Sequence, residues 1–80
     1  MRANILAFGI VKDIFGGPSI NIELDEGGTA NDLKGLLEEK YPKLKQLASF
    51  MIAVNNEYAT EGLVIGKNDE VAIIPPVSGG

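Results

Sequence analysis

Residues 29–41 are the one stretch of this 80-residue chain with helical spacing, and strand-like runs flank it on both sides. A lone helix can cover only one face of a sheet, so it limits the possible folds more than any other feature. After Gly27-Gly28, Thr29-Ala30-Asn31-Asp32 has the form of a capped start. Thr29 is the cap, and Asp32 lies near the positive end of the helix dipole. Leu33, Leu36, Leu37 and Tyr41 follow at helical spacing. Pro42 then stops the helix or begins a looser turn through Leu44 and Leu47.

Before the helix, the mostly apolar run from Asn4 to Val11 reads as a first strand. Gly16-Gly17-Pro18 signals a turn. Ile20, Ile22 and Leu24 then alternate with Asn21, Glu23 and Asp25, the period of a half-buried strand, so the two runs suggest a hairpin. After the helix, Phe50 to Asn55 reads as a third strand. Asn55-Asn56 is suited to a tight turn with positive φ, leading to a short returning strand at Glu57-Tyr58-Ala59. Thr60 to Lys67 reads as irregular, and Val71-Ala72-Ile73-Ile74 as the last strand. The order β-β-α-β-β-β predicts an α+β domain: a mixed sheet of about five strands with one main helix across one face, as in the ubiquitin-like β-grasp fold. A right-handed crossover would bring the first and last strands together in parallel at the sheet centre. Residues 1–74 are expected to form the body and 75–80 a flexible tail; a chain of this size has no room for a second domain.

The central strands do not alternate as a half-covered sheet requires. Leu6 and Phe8 are apolar where Ile5 and Ala7 already supply an inner face, and Ala72 and Ile74 repeat this against Val71 and Ile73. The surplus set Leu6, Phe8, Ala72 and Ile74, with Tyr58 near one edge, predicts an exposed apolar patch for a partner. The alternative is that residues 60–67 fold over it.

Composition excludes most conventional chemistry. There is no cysteine and no histidine, hence no disulfide, thiol nucleophile or imidazole base. Ser19, Ser49 and Ser78 therefore lack the base a nucleophilic triad needs. The glycines match neither the phosphate-loop nor the dinucleotide pattern. Asp25-Glu26 and Asp69-Glu70 read as solvated strand ends, without the spaced ligands of a calcium loop, and no metal site is expected. The net charge of −4 argues against nucleic acid. No apolar run approaches a membrane span or signal peptide, so a soluble cytoplasmic protein is expected.

The ending, Pro75-Pro76-Val77-Ser78-Gly79-Gly80, stands out because it directly follows a strand. Each proline lacks an N–H, so strand pairing fails at Pro75 and the chain leaves extended. Gly79 and Gly80 have no side chain to block entry into a narrow channel. A terminal carboxylate at the end of such a tether becomes an acyl donor once activated, for example by adenylation. A frayed terminus is the plainer reading of the same residues.

Val54-Asn55-Asn56-Glu57-Tyr58 and the run from Asn68-Asp69-Glu70-Val71 through Gly80 resemble the MoaD family, the sulfur-carrying small subunits of molybdopterin synthase. Leu6-Ala7-Phe8-Gly9 with Lys12-Asp13 is similar to that family's first strand and the basic–acidic pair after it. The resemblance implies a chain that is not catalytic alone and binds no cofactor. A MoeB-like adenylyltransferase would use ATP to place AMP on Gly80, and sulfur would replace AMP to give a thiocarboxylate. The tail would then enter a MoaE-like large subunit, in a heterotetramer, and give sulfur to the molybdopterin dithiolene built on cyclic pyranopterin monophosphate.

The resemblance assigns Gly80 as carrier and Gly79 as the residue allowing entry, with Pro75, Pro76, Val77 and Ser78 as tether. It gives Phe8, Tyr58 and Ile74 as apolar partner contacts and Lys12 as a polar one. Small Ala7 and Gly9, and Gly27-Gly28 before the helix, depart from the family pattern. Two related functions share the activation chemistry: a ubiquitin-like modifier joined through Gly80 to lysines, and a ThiS-like carrier for the thiazole of thiamin.

Overall fold

The computed structural model describes residues 1–47 and 50–75. Five strands form one sheet in the order β2-β1-β5-β3-β4. They are β1 (Arg2–Ala7), β2 (Ser19–Glu23), β3 (Met51–Val54), β4 (Glu57–Tyr58) and β5 (Val71–Ile74). Helix α1 (Ile10–Phe15) lies between the first two strands, and α2 (Ala30–Lys40) precedes a 3-10 helix at Pro42–Gln46. β1 and β5 pair in parallel near the centre, and the other pairings are antiparallel. This is the mixed five-stranded sheet with one main helix that the β-grasp reading predicts.

The N-terminal connection departs from expectation. The first strand ends at Ala7, and Ile10 and Val11, read in sequence as its last residues, belong to α1. The link to β2 is therefore a short helix rather than a simple hairpin turn. The physical reason is Gly9, whose φ of 55° and ψ of −132° turn the backbone out of the strand. Six residues cannot hold a helix by themselves. Packing holds this one, because Val11 is fully buried and the Phe15 ring lies against Tyr41, centroids 4.7 Å apart and planes tilted by 40°.

The inner face of the sheet carries Ile5, Ile22, Ile52, Val71 and Ile73, all buried. Leu33 and Leu37 of α2 pack against them, one helical turn apart. At the start of α2 the capping box expected from sequence is complete. The Thr29 hydroxyl accepts from the Asp32 N–H at 3.2 Å, and the Asp32 carboxylate accepts from the Thr29 N–H at 3.0 Å.

Residues 60–67 also serve this end of α2. Carbonyls of Leu63 and Glu61 accept from the N–H groups of Ala30 and Asn31, and Ile65 buries itself with its N–H on the Gly28 carbonyl. The segment thus closes the helix side and does not cover the other face. Gly28 is required here: a Cβ would stand 2.8 Å from Leu24 Cγ and 2.9 Å from the Asp25 carbonyl oxygen. Gly27 has open space around it but a φ of 82°, so the first glycine of the pair follows from the turn and the second from close packing.

Candidate functional site: an apolar half-face at the root of the tail

Strand register builds the site row by row. Leu6 pairs with Ala72, Ala72 with Ala53, and Ala53 with Tyr58. These residues form one cross-strand row over β1, β5, β3 and β4, on the face away from α2. Phe8 and Ile74 extend it towards the end where β5 runs out into residue 75. Together they line a shallow groove of about 330 Å³, rimmed by the polar groups of Asn56 and Glu70. Phe8 is 48% exposed and Tyr58 67% exposed, so two large aromatic side chains face solvent on a domain of this size.

The same face turns polar at its other end. Arg2 and Glu23 approach at 3.5 Å, and the Asn4 amide donates to Asn21 at 3.4 Å. Arg2 and Asn4 share the outward parity of Leu6 and Phe8 along β1. Alternation therefore holds in the first half of the strand and fails only in the second. The exposed apolar area is confined to the half that adjoins the tail.

A tight hairpin supports Tyr58. Asn55 and Asn56 take φ of 53° and 69°, the two positive values a type I′ turn requires. The Asn55 side chain then spans to the approach to β5: its amide donates to Asp69 at 2.9 Å, and its carbonyl oxygen accepts from the Glu70 N–H at 3.0 Å. Asp69 also accepts from the Gly66 N–H at 2.7 Å. The Gly66 backbone bond, followed by that from Asn55, holds the Asp69 carboxyl below its ordinary value. Asp69 is thus a turn clamp, more than the solvated strand end that the sequence suggests.

Phe8, Tyr58 and Ile74 come together as the sequence predicts, with Leu6 and Ala72 between them. Sequence reasoning missed Ala53, Asn56 and Glu70 as parts of the groove. The outward parity of Ala53 was recoverable from its two-residue step from Met51 along β3. Lys12 is exposed on α1 and does not line the groove; its carbonyl accepts from Gly16 and Gly17. Pro75 is half-buried directly after β5. The expected tether and carrier residues Pro76, Val77, Ser78, Gly79 and Gly80 lie outside the described residues.

Among the described residues, the ionisable groups lining the groove are Tyr58 and Glu70, on an open apolar surface that suits recognition. Among the described residues, no three His, Cys, Asp or Glu side chains gather as a metal site would.

Residues 5–80 match the family described as the ThiS family. The chain is 34% identical over 81 residues to a molybdopterin synthase sulfur carrier subunit of Arabidopsis thaliana, covering 100% of this chain and 84% of that one. It is 42% identical over 80 residues to the subunit of the same name from Dictyostelium discoideum, covering 95% and 93%. The crystal structure of SAMP1 from Haloferax volcanii superposes with a TM-score of 0.83 at 24% identity, over the whole of both chains. At that identity the likeness concerns the fold alone.

Proposed function

The chain belongs to the ThiS family, and we propose that within it this protein is the sulfur-carrier small subunit of a molybdopterin synthase. The observation that carries this reading is full-length similarity to subunits of that name, at 42% and 34% identity. The placement of the groove supports it. A carrier must be recognised by one surface while its terminus enters a partner's active site, and here the apolar half-face adjoins the strand end that leads to residues 76–80.

The chemistry follows from the carboxylate. A Gly80 carboxylate oxygen attacks the α-phosphorus of ATP in an adenylyltransferase partner, and pyrophosphate leaves. Hydrosulfide or an equivalent sulfur donor then adds to the acyl carbon and AMP departs, so a C–S bond replaces a C–O bond with no change of oxidation state. Gly79 lets the terminus enter the partner's channel, and residues 75–78 supply reach: the six residues 75–80 span at most about 20 Å when extended. Phe8, Tyr58 and Ile74 anchor the body on the large subunit and on the activating enzyme in turn, and Lys12 makes a polar contact beside that surface. ATP belongs to the activating partner and the sulfur-accepting pterin to the large subunit.

The test is intact-mass measurement of the full chain after incubation with the adenylyltransferase, ATP and sulfide. A gain equal to the exchange of one oxygen for sulfur is expected. Deleting Gly79-Gly80 removes the gain while leaving the melting temperature unchanged. Molybdopterin formation supported by the truncated chain in a reconstituted assay would end the proposal. Adducts on lysines of other proteins, dependent on Gly80, would point instead to a modifier.

A further inference from the structure

The central pairing can be followed one step beyond the strands. Ile5 pairs with Val71, Leu6 with Ala72 and Ala7 with Ile73. The same register sets Phe8 level with Ile74 and Gly9 level with Pro75. Here both segments leave the ladder, each for its own reason. Pro75 has no N–H to donate. Gly9 turns away with φ 55° and ψ −132° to begin α1, whose first bonds run from Val11 N–H to the Phe8 carbonyl and from Lys12 N–H to the Gly9 carbonyl.

The two residues also lie close together. A Cβ added at Gly9 would come 3.2 Å from Pro75 Cγ, tighter than ordinary van der Waals contact. A side chain at position 9 would therefore be strained by its positive φ and would press on the proline ring, which would have to shift by a few tenths of an ångström.

We propose that Gly9 is a positioning residue for the carrier function: the bare backbone at Gly9 is the seat of the Pro75 ring, and this seat sets the direction in which the tail is handed to a partner. The inference rests on the carrier reading above and deepens it. Its consequence comes from leverage. Once a partner's channel draws the five residues after Pro75 out straight, they span roughly 17 Å, so a tilt of about 10° at Pro75 displaces their far end by roughly 3 Å. Phe8, next to Gly9, is part of the groove. Phe8 thus belongs to the surface a partner grips, while Gly9 and Pro75 fix where the tail sets out.

The experiment compares full-length wild type, Gly9→Ala, Pro75→Ala and the double variant. It measures ATP-dependent loading by the adenylyltransferase, and separately the docking affinity of the same bodies carrying the Gly79-Gly80 deletion. Gly9→Ala is expected to lower kcat/KM for loading about tenfold or more, as misplacement of a reacting group does, while docking is unchanged. Pro75→Ala is expected to lower loading with docking intact. The double variant should lose less than the product of the two single losses, because the colliding ring is gone.

Wild-type loading by Gly9→Ala would overturn the proposal, as would strictly multiplicative losses or a parallel loss of docking. Should Gly9→Ala fail to fold, Pro75→Ala decides alone, since it leaves Gly9 untouched; wild-type loading by that variant overturns the seat. Failure of the wild-type chain itself to load would instead overturn the carrier reading, and this inference with it.

Discussion

Phe8 and Phe15 show how far one side chain's role depends on its surroundings. Phe8 stands 48% exposed at the end of the groove, whereas Phe15 is 9% exposed and packed against Tyr41. Phe8→Lys is accordingly expected to weaken binding to the large subunit while shifting the melting temperature little, since the ammonium can remain in water. A large drop in melting temperature would show that Phe8 is core. Phe15→Ala should instead cost about 3–5 kcal/mol in denaturant titration, from lost burial plus the cavity left behind. Sequence spacing alone separates these two residues poorly. Both belong to apolar runs, and only the break at Gly9 assigns one to a strand's outer face and the other to a helix's inner face.

Among the elements, those with strong local signals were legible and those held by packing were not. Thr29 and Asp32 announce the start of α2, and Asn55-Asn56 the β3–β4 turn, because each motif satisfies its own backbone groups. Helix α1 carries no such signal. Its apolar residues continue those of β1 without a polar break, and tertiary burial of Val11 and Phe15 decides its state. The groove was legible from the excess of apolar residues on β1 and β5, since a lone helix cannot cover two faces. Its boundary was not, because it depends on which strands lie side by side. Thr29→Ala removes one half of the capping box and should lower stability by about 1 kcal/mol in chemical denaturation. Thr29→Ser should restore most of that.

For the molecule as a whole, apolar burial and not charge holds the body together. The ion pairs found among the described residues join Glu23 to Arg2 and to the N-terminal amine, at 3.5 and 3.9 Å, with the Glu23 side chain 74% exposed. Such pairs contribute less than about 1 kcal/mol and weaken in salt. The melting temperature should therefore change little between low and high salt, and little in Glu23→Gln. A steep fall with salt would mean that electrostatics contribute more than these contacts account for.

The sheet order carries a further implication for biosynthesis. β5 is the strand that fills the gap between β1 and β3. While a ribosome is still making the chain, β1 and β3 have no shared neighbour, and the sheet cannot close until residues 71–74 have emerged. Closure of the sheet therefore waits for β5, so a nascent chain cannot display the finished docking surface before residues 71–74 are free to pair.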